Sequence, residues 1–414
     1  LLFLSFQCFP MKLFLIVLII VFISFQICSA QYELIQVQIV TRHGARSPYQ
    51  LYPGDPTVWN CDLHAYGSVG NQQDNSTLGP GQRRYVRSYI PGRQILKGTC
   101  PQGKLTKQGQ AQHVKLGGQV RQQYQGFLPD QFNPKQLYIR SSDVPRTIES
   151  AASFFTGLYP EEKPTSELIN IWLIEAEADD IQPVDSCSKL NQLCNQAQQV
   201  KEWVDIAEAM YPIQKLLNTE LGVPFEYSSF TPGLRNNLEC RRFHNVTIPS
   251  VITPEIQDVI ESVAVYQLGK LYNNTTRTPL LIGRFLRELY ENIQDATNVH
   301  TKTNSIREPR FSLFSAHDTT LGSLLGSLRS WQDVWPRFAS HLHLEVYTNG
   351  NNEYFVRGMY NDKVIRFGQC AEYCPLSEFG DIISDSIVDQ QQYTTECDSV
   401  GNVSGINQYT NFLC

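Results

Sequence analysis

Three short runs constrain the architecture more than anything else in the chain: Leu34–Val40 (LIQVQIV), Gln136–Arg140 (QLYIR) and Arg310–Ser315 (RFSLFS). Each is rich in β-branched or aromatic residues or alternates apolar with polar ones, the pattern of a strand. Each then runs into a charged end followed by a turn or a helix start. Repetition of that cadence predicts an α/β fold. In open α/β sheets the carboxyl ends of the strands form the ligand crevice. Attention therefore falls on Arg42, His43 and Arg46 after the first strand, Arg140 at the end of the second, and His317-Asp318 after the third.

The remaining pattern fills in around these runs. Thr106 caps a helix that carries Ala111, Leu116, Val120 and Tyr124 toward the core, and Asp143 with Pro145 starts another through Phe154. Near residue 165 the texture changes. Trp172–Glu175 reads as a further strand, but Val200–Leu217 has helical spacing. Thr253-Pro254 opens a helix with Ile256, Ile260, Val263 and Leu268 inward, and Thr278-Pro279 opens one with Leu281, Phe285 and Leu289 inward. A helix from Thr320 to Leu328 follows the HD pair, and Leu342–Tyr347 with Tyr354–Met359 forms a hairpin about Asn349-Gly350. The expected organisation is an α/β catalytic domain from 31–165 and 305–414, interrupted by a smaller, mostly helical domain from 166–304.

Residues 1–30 are apolar almost throughout, with Met11-Lys12 before Leu13–Phe25 and small residues at Ser29-Ala30. This predicts a secretory signal peptide, with a signal anchor as its rival. No later stretch is long and apolar enough to span a bilayer, so no stable membrane anchor is expected. Acceptor sequences for N-glycosylation stand at Asn75, Asn245, Asn273, Asn274 and Asn402. Of 11 cysteines, nine follow residue 30, which in an oxidising compartment leaves at least one spare; Cys414, near a fraying end, is the candidate. Cys370 and Cys374 suit a local disulfide loop rather than a metal site. The net charge of -6 and scattered arginines exclude the basic stripe of a nucleic-acid binder. Any anion site must be built locally.

Arg42, Arg46 and Arg140, each a planar donor fork, suit one phosphoryl group at that local site. They would repel a metal cation, so a metal-free and cofactor-free mechanism is expected. Gly44 lets a backbone amide approach the ligand. His43, amid positive charge, stays neutral and able to attack below its usual pKa. Asp318 in its protonated form supplies a proton to the leaving oxygen, placing activity on the acidic side, and His317 is a further donor. The bland alternatives are an Asp318 that merely caps a helix and an Arg140 that serves a salt bridge. His341 and His343 alternate on one strand face like a metal pair but lack a third ligand, and His64 and His113 read as structural or surface residues.

RHGARSP at Arg42–Pro48, YIRSSDVPRT at Tyr138–Thr147 and SAHDTT around His317-Asp318 resemble the histidine acid phosphatases of the histidine phosphatase superfamily. The resemblance runs from Gln31 to about Cys397. It implies a central mixed β-sheet flanked by helices, and hydrolysis of a small phosphomonoester through a phosphohistidine on His43 with Asp318 as proton donor. Arg42, Arg46, Arg140 and His317 would be the phosphate ligands, and tartrate would inhibit. It further implies a Cys370–Cys374 disulfide, a Cys187–Cys397 bridge, secretion or delivery to a lysosome, and a homodimer. A phytase, a lysophospholipid phosphatase, a phosphoglycerate mutase-like enzyme and a silent phosphate-binding protein are the alternatives on the same core.

Overall fold

The computed structural model describes residues 32–61, 90, 95–160, 169–176, 178–182, 187–223 and 230–400. The leader segment, His64, Asn75, Asn402 and Cys414 lie outside the described residues.

The three strand runs become β1 (Glu33–Arg42), β4 (Leu137–Ser141) and β5 (Phe311–Ala316). Two short strands, β2 (Val58–Trp59) and β3 (Lys97–Gly98), pair apart from them. The hairpin forms as β6 (His341–Thr348) and β7 (Tyr354–Tyr360), extended by β8 (Lys363–Ile365) and β9 (Cys374–Pro375). Order in the main sheet is β4-β5-β1-β6-β7-β8, with β9 also on β7. The first three run parallel and the rest antiparallel, a mixed sheet as expected. Trp172 makes a single bridge to Arg140, not a strand.

Helices flank the sheet. Helix α1 (Lys107–Gln123) is capped by the Thr106 side chain, which accepts the Gly109 amide hydrogen, and α2 (Pro145–Leu158) begins on its proline. Their inner faces close one core over the sheet with Val37, Ile39, Leu116, Val120, Phe154 and Leu313. Ala111, expected inward, is exposed, and His113 takes the buried position. The other sheet face carries α7 (Thr278–Thr303) and α8 (Asp318–Ser327). Phe285 of α7 packs edge-on against Phe314 of β5 at 5.1 Å, and the Gln38 side chain donates to the Leu289 carbonyl at 2.9 Å. Thus α7, which the expected boundary at 304 placed with the helical part, lies on the sheet.

Between α2 and α7 come α3 (Ser188–Ala197), α4 (Lys201–Leu221), α5 (Phe230–Phe243) and α6 (Pro254–Tyr272, capped by Thr253). Met210, Leu217, Leu234, Leu238, Ile252 and Ile260 give α4, α5 and α6 a core of their own. Two further helices, α9 (Leu376–Ile383) and α10 (Gln390–Asp398), follow the sheet. Among the described residues no helix is long and apolar enough to cross a membrane. Disulfides join Cys370 to Cys374 and Cys187 to Cys397, the two pairs the resemblance implies, and also Cys61 to Cys100. Cys194 is disulfide-bonded as well. The free thiol among the described residues is Cys240, buried on α5, which the sequence reading did not single out. Asn245 and Asn273 are exposed, whereas the Asn274 side chain accepts the Thr276 and Arg277 amides.

One contact ties α1 to the end of β1. A Cβ on Gly44 would meet the Gly109 carbonyl oxygen at 2.3 Å, and one on Gly109 would meet the Ala45 oxygen at 2.1 Å. Backbone packs on backbone there. Gly109→Ala should therefore cost about 1–3 kcal/mol in urea unfolding. Gly118→Ala, on the open side of the same helix with its nearest neighbour at 3.8 Å, should gain up to about 1 kcal/mol; equal effects at the two positions would contradict the close approach.

Candidate active site

Because β1, β4 and β5 are parallel and in register, with Arg42 beside Ala316 and Ser141 beside Ser315, their carboxyl ends share one rim. The loop leaving β1 is fixed there by its own backbone. The Arg42 amide donates to the Ser340 carbonyl and the His43 amide to the Ala316 carbonyl, at 2.8 and 2.9 Å. The Ala339 amide donates to the His43 carbonyl at 3.1 Å. The His113 Nε2–H donates to the Arg42 carbonyl at 3.1 Å, and burial lowers the pKa of that ring to about 4, so it stays neutral. The Gly44 amide donates to Ser150 Oγ at 3.1 Å and the Ala45 amide to Gln112 Oε1 at 2.8 Å. The expectation that Gly44 frees an amide for a ligand therefore fails. That amide is spent on α2, and the glycine serves the close approach of α1.

His43 stands at the centre, 2% exposed. Its Nδ1 lies 2.8 Å from the Gly44 carbonyl. A carbonyl only accepts, so Nδ1 carries the hydrogen and Nε2 keeps a lone pair. Burial, then Arg146, Arg42, Arg46 and His317, hold its pKa well below the usual histidine range. The ring is neutral on the acidic side, as the sequence predicts.

Three arginines surround it, but they are the buried Arg42 and Arg46 and the half-buried Arg146. Arg42 is fully buried; its Nη1 and Nη2 donate to Glu239 at 3.0–3.2 Å, Nη1 to the Pro336 carbonyl at 2.7 Å, and Nη2 pairs with Asp318 Oδ2 at 2.9 Å. Arg46 donates to the Ser47 carbonyl at 3.0 Å and lies 4.1 Å from the centre of the Tyr49 ring. Arg146, in the first turn of α2, lies 5.7 Å from the centre of that same ring. The Nε atoms of all three are buried without a hydrogen-bond partner. Buried donors normally find acceptors; Arg140 Nε is unmatched too, but the three whose charge reaches His43 make this rim the candidate anion site.

Arg140 does not join them. It pairs with Asp179 at 3.3 Å and with Asp180 and Glu288, so the salt-bridge alternative holds. The reason is depth in the sheet. Arg140 lies beside Phe314, one residue short of the strand end, and its side chain reaches over Phe285 of α7 instead of the rim. Arg146 occurs six residues later in the same YIRSSDVPRT stretch, at the amino end of a helix, where the positive dipole end favours anions.

His317 also differs from expectation. Arg146 Nη2 is a donor only, so at 3.2 Å it gives its hydrogen to Nδ1, and Nε2–H donates to Ser142 Oγ at 2.8 Å. Here the ring holds Arg146 and presents no free hydrogen. Asp318 starts α8, and its Oδ2 accepts from Trp335 Nε1 at 2.9 Å. Burial alone would raise its pKa, but Arg42, the Trp335 hydrogen, Arg46 and His317 outweigh that and hold it well below the usual carboxylate range. The expected standing pool of protonated Asp318 is absent from the site as it stands. Arg146, Glu239, Trp335 and Tyr49 were missed by the sequence reading. Only Arg146 has a local signal, its place beside a helix start. Phe338, with its ring 5.9 Å from that of His43 and 4.4 Å beneath Arg42, completes the wall.

The model of the histidine phosphatase superfamily, branch 2, matches residues 33–361. The chain belongs to that family. Among curated relatives, counting factor 60 of Dictyostelium discoideum is 27% identical, over 83% of this chain and 83% of its own length. Prostatic acid phosphatase of Bos taurus is 24% identical over 92% and 91%, and lysosomal acid phosphatase of Xenopus laevis 24% over 93% and 84%. The Hafnia alvei phytase solved with tartrate superimposes with a TM-score of 0.60 at 15% identity, covering 89% of this chain and 99% of its own, a likeness of fold. Within this histidine phosphatase the arginine exchange is testable. Arg146→Ala should weaken inorganic phosphate binding in calorimetry at least tenfold, about 1.4 kcal/mol, whereas Arg140→Ala should leave it within about twofold of wild type.

Proposed function

We propose that the protein is an acid phosphatase of the secretory route, hydrolysing small phosphate monoesters through a phosphohistidine on His43. The observation that carries this is the Nδ1–Gly44 hydrogen bond, which leaves the lone pair on His43 Nε2, in a ring beside the charges of Arg42, Arg46 and Arg146, whose Nε–H groups are buried and unmatched. His43 attacks phosphorus as the ester oxygen leaves with a proton from Asp318. Water, giving its proton back to Asp318, then cleaves the N–P bond and frees inorganic phosphate. Arg42, Arg46 and Arg146 stabilise the equatorial oxygens. His317 acts by holding Arg146.

The low proton affinity of Asp318 moves the source of the acid dependence. A phosphate monoester takes up a proton near pH 6, so the monoanion carries into the site the proton that the carboxylate lacks. Binding an anion among the arginines also offsets their pull on Asp318. Activity should fall as pH rises through about 6 and persist well below the ordinary histidine range, because His43 stays neutral there.

Phytase activity on the same core is the alternative reading, and the likeness in fold to the Hafnia alvei phytase favours it; a panel of phosphates with inositol hexakisphosphate among them separates the two. Three disulfides among the described residues accord with an oxidising compartment. The decisive experiment is acid quench with labelled aryl phosphate. An acid-labile, base-stable phosphoryl group on His43, lost in His43→Ala, is expected; label elsewhere, or none with turnover intact, contradicts the mechanism. Asp318→Asn should slow alkyl phosphates at least tenfold more than p-nitrophenyl phosphate, since the activated leaving group needs less protonation.

A further inference from the structure

Beneath the reacting groups lies a chain of charges that the family motif does not contain. Glu261 on α6 accepts from Arg235 at 3.0 Å, Arg235 pairs with Glu239 at 2.6 Å, Glu239 takes both Nη groups of Arg42, and Arg42 pairs with Asp318 at 2.9 Å. Trp335 closes a loop: it donates to Asp318 Oδ2 while its ring lies 4.6 Å from the Arg235 guanidinium. Arg42, Arg235 and Glu239 are all buried. The fork of Arg42 is thus turned onto a carboxylate of the helical region, and its Nε is left unmatched near His43.

We infer that Glu239 is a positioning residue that divides the charge of Arg42 with Asp318, and so sets how readily Asp318 takes and gives its proton. This rests on the phosphatase reading above. Two carboxylates compete for one guanidinium, and each weakens the other's hold. Glu239 and Asp318 also repel directly: burial pushes the Glu239 carboxyl up, Arg42 and Arg235 bring it below its usual range, and Asp318 works against them. The other groups facing Asp318 are Arg46 beyond β1, Arg146 on α2, His317 beside it, Trp335 and Tyr360 of β7. Against that surplus of positive charge, Glu239 is the negative group that offsets the hold of Arg42 on Asp318.

Two substitutions push in opposite directions. Glu239→Gln keeps shape and some hydrogen bonds but removes the competing charge. The alkaline limb of kcat on an alkyl phosphate, set by the one proton that the bound ester shares with Asp318, should then move down by about 0.5–1 pH unit, and the ratio of alkyl to p-nitrophenyl turnover should fall. Arg235→Gln frees the Glu239 charge toward Arg42, so the limb should move up. Opposite shifts support the inference. Folded, active variants whose limb stays at the wild-type pH, or moves the same way in both, overturn it, even if both melt at lower temperature. Should Glu239→Gln fail to fold, Arg235→Gln decides: an upward shift supports, none overturns. Failure of the underlying phosphatase reading would look different, since wild type itself would then show no His43-dependent turnover.

Discussion

Arg42 is the residue on which the rest of the structure turns. A fully buried guanidinium costs several kcal/mol of desolvation unless paired and hydrogen-bonded. Here Glu239, Asp318 and the Pro336 carbonyl supply the pairing, with Phe338 beneath the plane. Those partners come from α5, the start of α8 and the loop before β6. One side chain therefore binds the sheet rim to the helical region, and the rim forms a site only when all of them have arrived. Removing either carboxylate leaves an under-compensated buried charge.

The same balance selects the ligand. Arg42, Arg46 and Arg146 face His43, while the nearby carboxylates Asp318 and Glu239 are both engaged by Arg42. The surplus is positive, which keeps the imidazole neutral and leaves donors for oxygen. A divalent cation would add to charge already repelling itself. A tetrahedral oxyanion offers acceptors to the three unmatched N–H groups.

Much of this was legible in the sequence, and its failures are physical. Alternation located β1, β4 and β5, while Thr106, Thr253 and Pro145 located helix starts, because these signals act within a few residues. The RHG cluster and the HD pair met because parallel strands in register deliver their ends to one rim. Arg140 misled because a strand residue's usefulness depends on its depth and on which face it points to, which neighbouring strands decide. Arg146 sat in the same motif but reached the site from the first helical turn. Glu239 and Trp335 left no local trace: Glu239 meets Arg42 across 197 positions. The spare thiol shows the same limit. Counting cysteines established that at least one is left over, but not that Cys240 is free, buried on α5 against Arg46.

An acid held by an arginine is a poor proton donor, yet the arrangement follows from the needs of the proposed nucleophile. Any charge that keeps His43 unprotonated also strips the proton from Asp318, since both face the same arginines. One site cannot make the imidazole a base and the carboxyl an acid by positive charge alone. Two features separate them. Burial acts in opposite senses, favouring the neutral form of each group, and so it helps both. The substrate does the rest: its anionic charge lands among the arginines, and on the acidic side it arrives with a proton of its own. Under the proposed mechanism acid preference is a property of the enzyme and ester together, and the half-buried carboxylate beside Arg42 is the group through which that proton would pass to the leaving oxygen.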